Sequence, residues 1–175
     1  MNILEAQFTT EQAAGASGAG FENLQNWMKR GKVAGMERIA GGGAKGRHRR
    51  FSFHSVMEIA VVVDLRRVGY SDLDHAFRAA TTFAHFAGPD FNVSKERWPG
   101  CPWSGPGKTL LMIGPDSYSI EYVDLAAPAA RLWTTMQQCG GGCTMIDLGL
   151  VFNRVVAALG FPLVDVRAAL VGEDE

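Results

Sequence analysis

Apolar side chains recur at helical spacing in two short runs near the start of the chain, with glycines between them. Phe8, Thr9, Thr10, Glu11 and Gln12 read as a helix start. The Thr9 hydroxyl can accept the Gln12 amide proton, the Gln12 side chain can reach back, and Phe8 takes the staple position. This first helix should run to about residue 17, where Gly18 and Gly20 break the pattern. Residues 21–30 resume it, with Phe21, Leu24, Trp27 and Met28 on one face. The spacing therefore predicts a helix-turn-helix unit.

Beyond residue 31 two short candidate strands, 36–40 and 48–53, flank a glycine-rich tip and suggest a β-ribbon, or wing. Ser52 can cap a third helix, VMEIAVVVDLRRVG, which is apolar on more than one face and must be covered by neighbours or a second subunit. Ser71 opens a fourth, whose stripe of Leu73, Ala76, Phe77, Ala80, Phe83, Ala84 and Ala87 ends at Gly88-Pro89. Residues 89–108, rich in Pro, Gly and Trp, read as an ordered but irregular connector. A hairpin over 109–123 with its turn at 114–117, a helix near 128–138, a CGGGC loop, a strand TMI and a last helix over about 148–159 follow. The expected fold is mostly α with small β elements: a winged helix-turn-helix head followed by a small α+β C-terminal region.

Charge sharpens this picture. The whole chain carries a net charge of −1, yet residues 1–70 hold 10 Lys/Arg against 6 Asp/Glu and residues 71–175 hold 7 against 12. Eight basic residues and one acid, Glu37, lie between Lys29 and Arg50. A local basic surface favours a polyanion as partner for the front of the chain. Three cysteines are too few for a disulfide framework, and the opening MNILEAQFTTEQ has neither a basic n-region nor a long apolar h-region. A cytoplasmic location is expected. The stretch 56–63 is interrupted by Glu58 and followed by Asp64, Arg66 and Arg67, so no membrane span is expected.

If Phe21, Leu24, Trp27 and Met28 are buried, Glu22, Asn23, Gln25, Asn26, Lys29 and Arg30 face outward. Amide side chains can pair bidentately with adenine, and Arg or Lys with guanine or phosphate. The basic residues Lys45, Arg47, His48, Arg49 and Arg50 suit phosphate neutralisation or entry into a narrow minor groove. The helix would specify and the ribbon would anchor.

The strings FTTEQAA and NLQNWMKRGKV, followed by RRFSFHSVMEIAVVVDLRRVGYS, resemble the opening of the MerR family and its Leu-Arg-x-x-Gly-(Tyr/Phe)-Ser signature. GRHRRF also resembles the wing of the small excisionase and BldC-like DNA binders. The resemblance covers residues 8 to about 72. It implies double-stranded DNA as partner, recognition contacts at Gln25 and Asn26, wing contacts at Arg49 and Arg50, and a core aromatic at Trp27. It further implies a homodimer on a pseudo-palindromic site, in a nucleoid-associated bacterial or phage protein. Gly20 and Gln25 stand where the family has Ser and Arg, and its long coiled coil is absent, so neither the operator nor the dimer mode carries over.

Other features point elsewhere. GPGKTLL has Pro102 where a phosphate loop needs Gly, and TLLMI reads as a strand where that loop needs a helix. Cys139 and Cys143 flank three glycines, and with Cys101 they are the candidates for a thiol or metal sensor. No His lies in 101–175 to complete a tetrahedral set, so inert thiols in a turn are the expectation, with no metal or cofactor. His54, His75 and His85 show no paired carboxylate or nucleophile pattern, and no enzyme is expected. Trp98, Trp103, Tyr118, Tyr122 and Trp133 either line an effector pocket or fill a small core.

The resulting division is a DNA-binding head over 1–72, a connecting helix over 73–88 and a region over 89–175 for dimerisation or response to a small-molecule or protein effector. The expected function is transcriptional regulation, with recognition helix 21–30 in the major groove and wing 36–53 on the flanking backbone. The alternatives are an excisionase-type architectural recombination factor and a protein-interaction module acting through the hairpin 109–123.

Overall fold

The computed structural model describes residues 2–34, 49–90, 93–126, 128–164 and 166. Among them the architecture is mixed α/β, with six helices, a three-stranded antiparallel sheet and a separate two-stranded hairpin. The candidate strand 36–40 and the ribbon tip lie outside the described residues; of the candidate strand 48–53, only Phe51 makes a β-bridge, to Phe8, and Phe53 already begins a helix.

Helix α1 (Thr10–Ser17) starts as its sequence dictates: Thr9 and Gln12 form a reciprocal capping box. It ends at Gly18, whose φ of 75° is left-handed backbone that glycine adopts without cost. Its Ala13, Ala14, Ala16 and Ser17 are buried, and these small side chains let it lie close on α3 (Phe53–Arg67). Ser52 caps α3, and ten of its fifteen residues are buried. That explains a helix apolar all round: α1, α4 (Leu73–His85) and α6 (Leu148–Ala158) pack about it. The α4 cap is Asp72, which accepts the His75 N–H at 2.9 Å, rather than Ser71.

The connector is more regular than its composition suggests. β1 (Gly88–Asp90) and β2 (Val93–Arg97) pair antiparallel, with an irregularity between Pro89 and Asp90. The hairpin delivers Arg97, only 2% exposed, to the C-terminal end of α4. Its guanidinium donates to the carbonyls of Phe83 and Phe86 at 2.8 Å and of Trp98 at 3.0 Å, and stacks 4.8 Å from the Phe83 ring. Burial pulls its pKa down to about 10, which leaves it charged at neutral pH. A cation fits there because the last carbonyls of a helix have no partners of their own and carry partial negative charge.

β3 (Lys108–Ile113) is the middle strand of the sheet, between β4 (Tyr118–Val123) and β5 (Thr144–Asp147), antiparallel to both. Leu111, Ile113 and Ile146 are buried, and α6 packs on β3. The turn closes with the Gly114 N–H donating to the Ser117 carbonyl at 2.8 Å. A side chain at Gly114 would meet the Cys139 carbonyl oxygen at 2.4 Å, at the end of α5 (Pro128–Gln138), which packs on β4. The Tyr70 hydroxyl donates to the Gly114 carbonyl at 2.9 Å and so ties this turn to the α3–α4 corner. No described helix is long and apolar enough to cross a membrane.

Candidate nucleic-acid interface

Three residues separate α1 from α2 (Phe21–Lys29). The Ser17 hydroxyl donates to the Ala13 carbonyl at 2.6 Å and accepts the Ala19 N–H at 3.3 Å, which shapes the break. Gly20 takes the N-cap position of α2 with no side-chain cap.

Leu24 and Met28 are buried, and Trp27 is half-buried with its ring edge-on to Phe77 of α4 at 5.5 Å. Phe21, expected in the core, is 50% exposed. It stands at the first position of the helix. Asn23, Asn26, Lys29 and Arg30 are exposed together with Glu22, whereas Gln25 is half-buried. Asn23, Asn26 and Arg30 are three and four residues apart, so they share one face. The structure therefore leaves two amides and two cations outward on a short helix, and Gln25 less accessible than the resemblance implies.

The residues on either side of segment 35–48, which carries Arg38, Lys45 and Arg47, are tied to the rest of the fold. On the way in, the Ala34 N–H donates to the Glu58 carboxylate at 3.1 Å. On the way out, Phe51 and Phe8 exchange both backbone hydrogen bonds at 2.8 Å, with both rings buried. Phe8 lies just before the α1 cap, so the chain re-enters the fold beside the helix pair. Arg50 is exposed and Arg49 half-buried at that re-entry. Lys45, Arg47 and His48 lie outside the described residues.

Glu58 also corrects the expectation that the histidines lack a carboxylate. It is fully buried in α3 and accepts from the Thr81 hydroxyl at 2.9 Å and from His85 Nε2 at 3.0 Å. His54 lies against His85, ring centroids 6.1 Å apart. Burial, then the neighbouring His85, lowers the His54 pKa, although its bond to the Ala84 backbone opposes this. A signal was present: one acid inside the otherwise apolar stretch 56–63 has to find donors if the helix is buried on all sides.

The remaining candidates are dispersed. Cys101 and Cys139 are buried and Cys143 half-buried, all three as free thiols. Burial pushes the Cys101 thiol up to about 12, and burial together with Cys139 raises that of Cys143, which disfavours the thiolate that a metal or an oxidant requires. Among the described residues no group of three or more His, Cys, Asp or Glu could hold a metal ion. Nor do the five aromatics form one pocket. Trp103 meets Tyr122 edge-on at 6.4 Å, Tyr118 bonds Thr82 at 2.8 Å, and Trp133 is 61% exposed on α5.

No protein-family model matches the chain, and no curated protein matches it significantly.

Proposed function

We propose that the chain is a sequence-specific double-stranded DNA-binding regulator, acting as a homodimer, with α2 in the major groove and the basic segment that ends at Arg49 and Arg50 on the flanking phosphates. The observation that carries this reading is the outward face of α2. Asn23 and Asn26 supply amides for base edges, Lys29 and Arg30 supply cations, and Leu24, Met28 and Trp27 hold the helix from behind. A short polar helix this exposed gains little stability from its own surface, so its composition is explained better by a partner than by folding.

Two further points support it. Arg49 and Arg50 directly precede Phe51, whose backbone partner Phe8 directly precedes the α1 cap at the start of the helix pair. The acid excess of the chain falls in residues 71–175, whereas residues 1–70, which hold α2, are net positive. One such head reads only a few base pairs, which makes two copies on one site the economical arrangement.

Selection of bound duplexes from a random pool tests the reading. The expected result is a recurrent motif in two inverted halves; a phased array of direct repeats would instead favour an architectural recombination factor. Enrichment of no motif would overturn sequence-specific recognition.

A further inference from the structure

The CGGGC string carries the chain from the end of α5 to the start of β5, with a thiol at each of its ends, Cys139 and Cys143. The sheet register decides where the second thiol lands. β3 and β5 pair Leu110 with Asp147 and Ile113 with Thr144; continued by one position, that register sets Cys143 opposite Gly114. Directly opposed residues of an antiparallel pair stand about 5 Å apart and point their Cβ atoms to the same face.

The first thiol is placed against the same glycine. A Cβ built on Gly114 would lie 2.9 Å from the Cβ of Cys139 and 2.4 Å from its carbonyl oxygen. Cys139 therefore fills the space that a side chain at 114 would take, on the face that the register gives to Cys143. It is held there by the end of α5: its N–H donates to the Thr135 carbonyl at 2.9 Å, and the Ser117 hydroxyl donates to the Gln138 carbonyl at 3.1 Å. Between the two cysteines, Gly140 and Gly141 take φ of 80° and 85° and reverse the chain, and a Cβ on any of the three glycines would meet nothing within 4 Å. Such a backbone can adjust to the Cα separation of about 4.4–6.8 Å that a disulfide requires. Cys101 stands apart from this pair, buried beside Arg97.

We propose that Cys139 and Cys143 form a reversible disulfide by exchange with an oxidised low-molecular-weight disulfide, of which glutathione disulfide is the probe. Half-exposed Cys143 attacks first. Its thiolate bonds to one glutathione sulfur as the glutathione S–S bond breaks, and one glutathione leaves as thiolate. Buried Cys139 then gives up its proton and attacks Cys143 Sγ, and the second glutathione leaves. Two protein thiols are oxidised, and one glutathione disulfide is reduced to two glutathiones. Burial, then the neighbouring Cys139, holds the Cys143 thiol above its ordinary pKa, so the first step is slow at neutral pH and quickens as pH rises. The thiolate fraction governs the rate of exchange and leaves the stability of the closed bridge to the geometry at Gly114. The inference rests on no part of the DNA reading.

The test is to incubate the reduced full chain with glutathione disulfide at about pH 7 and about pH 8, quench with acid, alkylate, and map the peptides by mass spectrometry. In the parent the bridge between Cys139 and Cys143 should be the main product, formed about tenfold faster at the higher pH. Cys139→Ser should stop at glutathione bound to Cys143, Cys143→Ser should take up none at Cys139, and Cys101→Ser should behave as the parent. Cys143→Ser alters a half-exposed side chain, so its result stands even where Cys139→Ser fails to fold. Free thiols throughout, glutathione left unresolved on Cys143 of the parent, a bridge to Cys101 or between chains, or equal rates at the two pH values would each overturn the proposal.

Discussion

Glu58 of α3 and His85 of α4 share a hydrogen bond of 3.0 Å across 27 positions of sequence, and the carboxylate end of that bond is fully buried. The same carboxylate holds the Ala34 N–H and the Thr81 hydroxyl, so one side chain joins α3, α4 and the entry to segment 35–48. Replacing Glu58 with Leu removes the acceptor and strands those donors. Glu58→Leu should cost about 2–4 kcal/mol in urea unfolding, and Glu58→Gln, which keeps one oxygen, clearly less. A Leu variant as stable as the parent would show that the carboxylate does not organise this corner.

The histidine beside that pair gives a pH dependence. The His54 pKa lies below its ordinary value of about 6.5 in the folded chain, so the unfolded chain binds its proton first as pH falls. Its contribution to stability is complete above about pH 6.5 and is lost as pH drops from there through the lowered folded value. Thermal melts from pH 8 to pH 5 should show falling stability below about pH 6.5, with a shallower fall in His54→Gln. Identical pH profiles for the two proteins would contradict this.

Arg97 should be irreplaceable by lysine. Its planar fork reaches the carbonyls of Phe83, Phe86 and Trp98 at once, a geometry a single ammonium cannot reproduce. Arg97→Lys and Arg97→Met should both destabilise by about 2–4 kcal/mol, measured by denaturant unfolding. Full stability in the lysine variant would mean that charge alone suffices.

Much of this arrangement follows from local pattern, and its exceptions share a cause. Thr9 and Gln12 satisfy each other within one turn of helix, and the β3–β4 turn and the bounds of α5 likewise depend on near neighbours, so these elements fall where the spacing puts them. Phe21 is apolar and correctly periodic, yet it is half exposed, whereas Leu24 in the same turn is fully buried. The β1–β2 hairpin is hidden by composition, since Gly88 and Pro89 look like a helix stop and not like a strand. Glu58 and His85 pair only because α3 and α4 pack together, a long-range contact that no local spacing encodes. In the candidate interface the outward set on α2 is readable from its periodicity, apart from Gln25, which tertiary packing half covers.

The two aromatics of α2 should behave differently. Trp27, half-buried on Phe77, should cost about 2–3 kcal/mol when cut to Ala, less than the 3–5 kcal/mol of a fully buried ring. Phe21→Ala, at an exposed position, should stay within about 0.5 kcal/mol of the parent. Reversed magnitudes would mean that α2 is rotated relative to its described face.

The proposed engagement of a duplex by the outward amides and cations of α2, together with Arg50, has a direct test. Fluorescence anisotropy of a selected duplex and a random one, across a salt series, with the parent, Asn26→Ala and Arg50→Ala, tests it most directly. The parent protein should bind both duplexes in dilute salt. Asn26→Ala should narrow the gap between them by about 1–3 kcal/mol, and Arg50→Ala should weaken both and reduce the salt slope by about one. Failure of the parent protein to bind any duplex in dilute salt would contradict it.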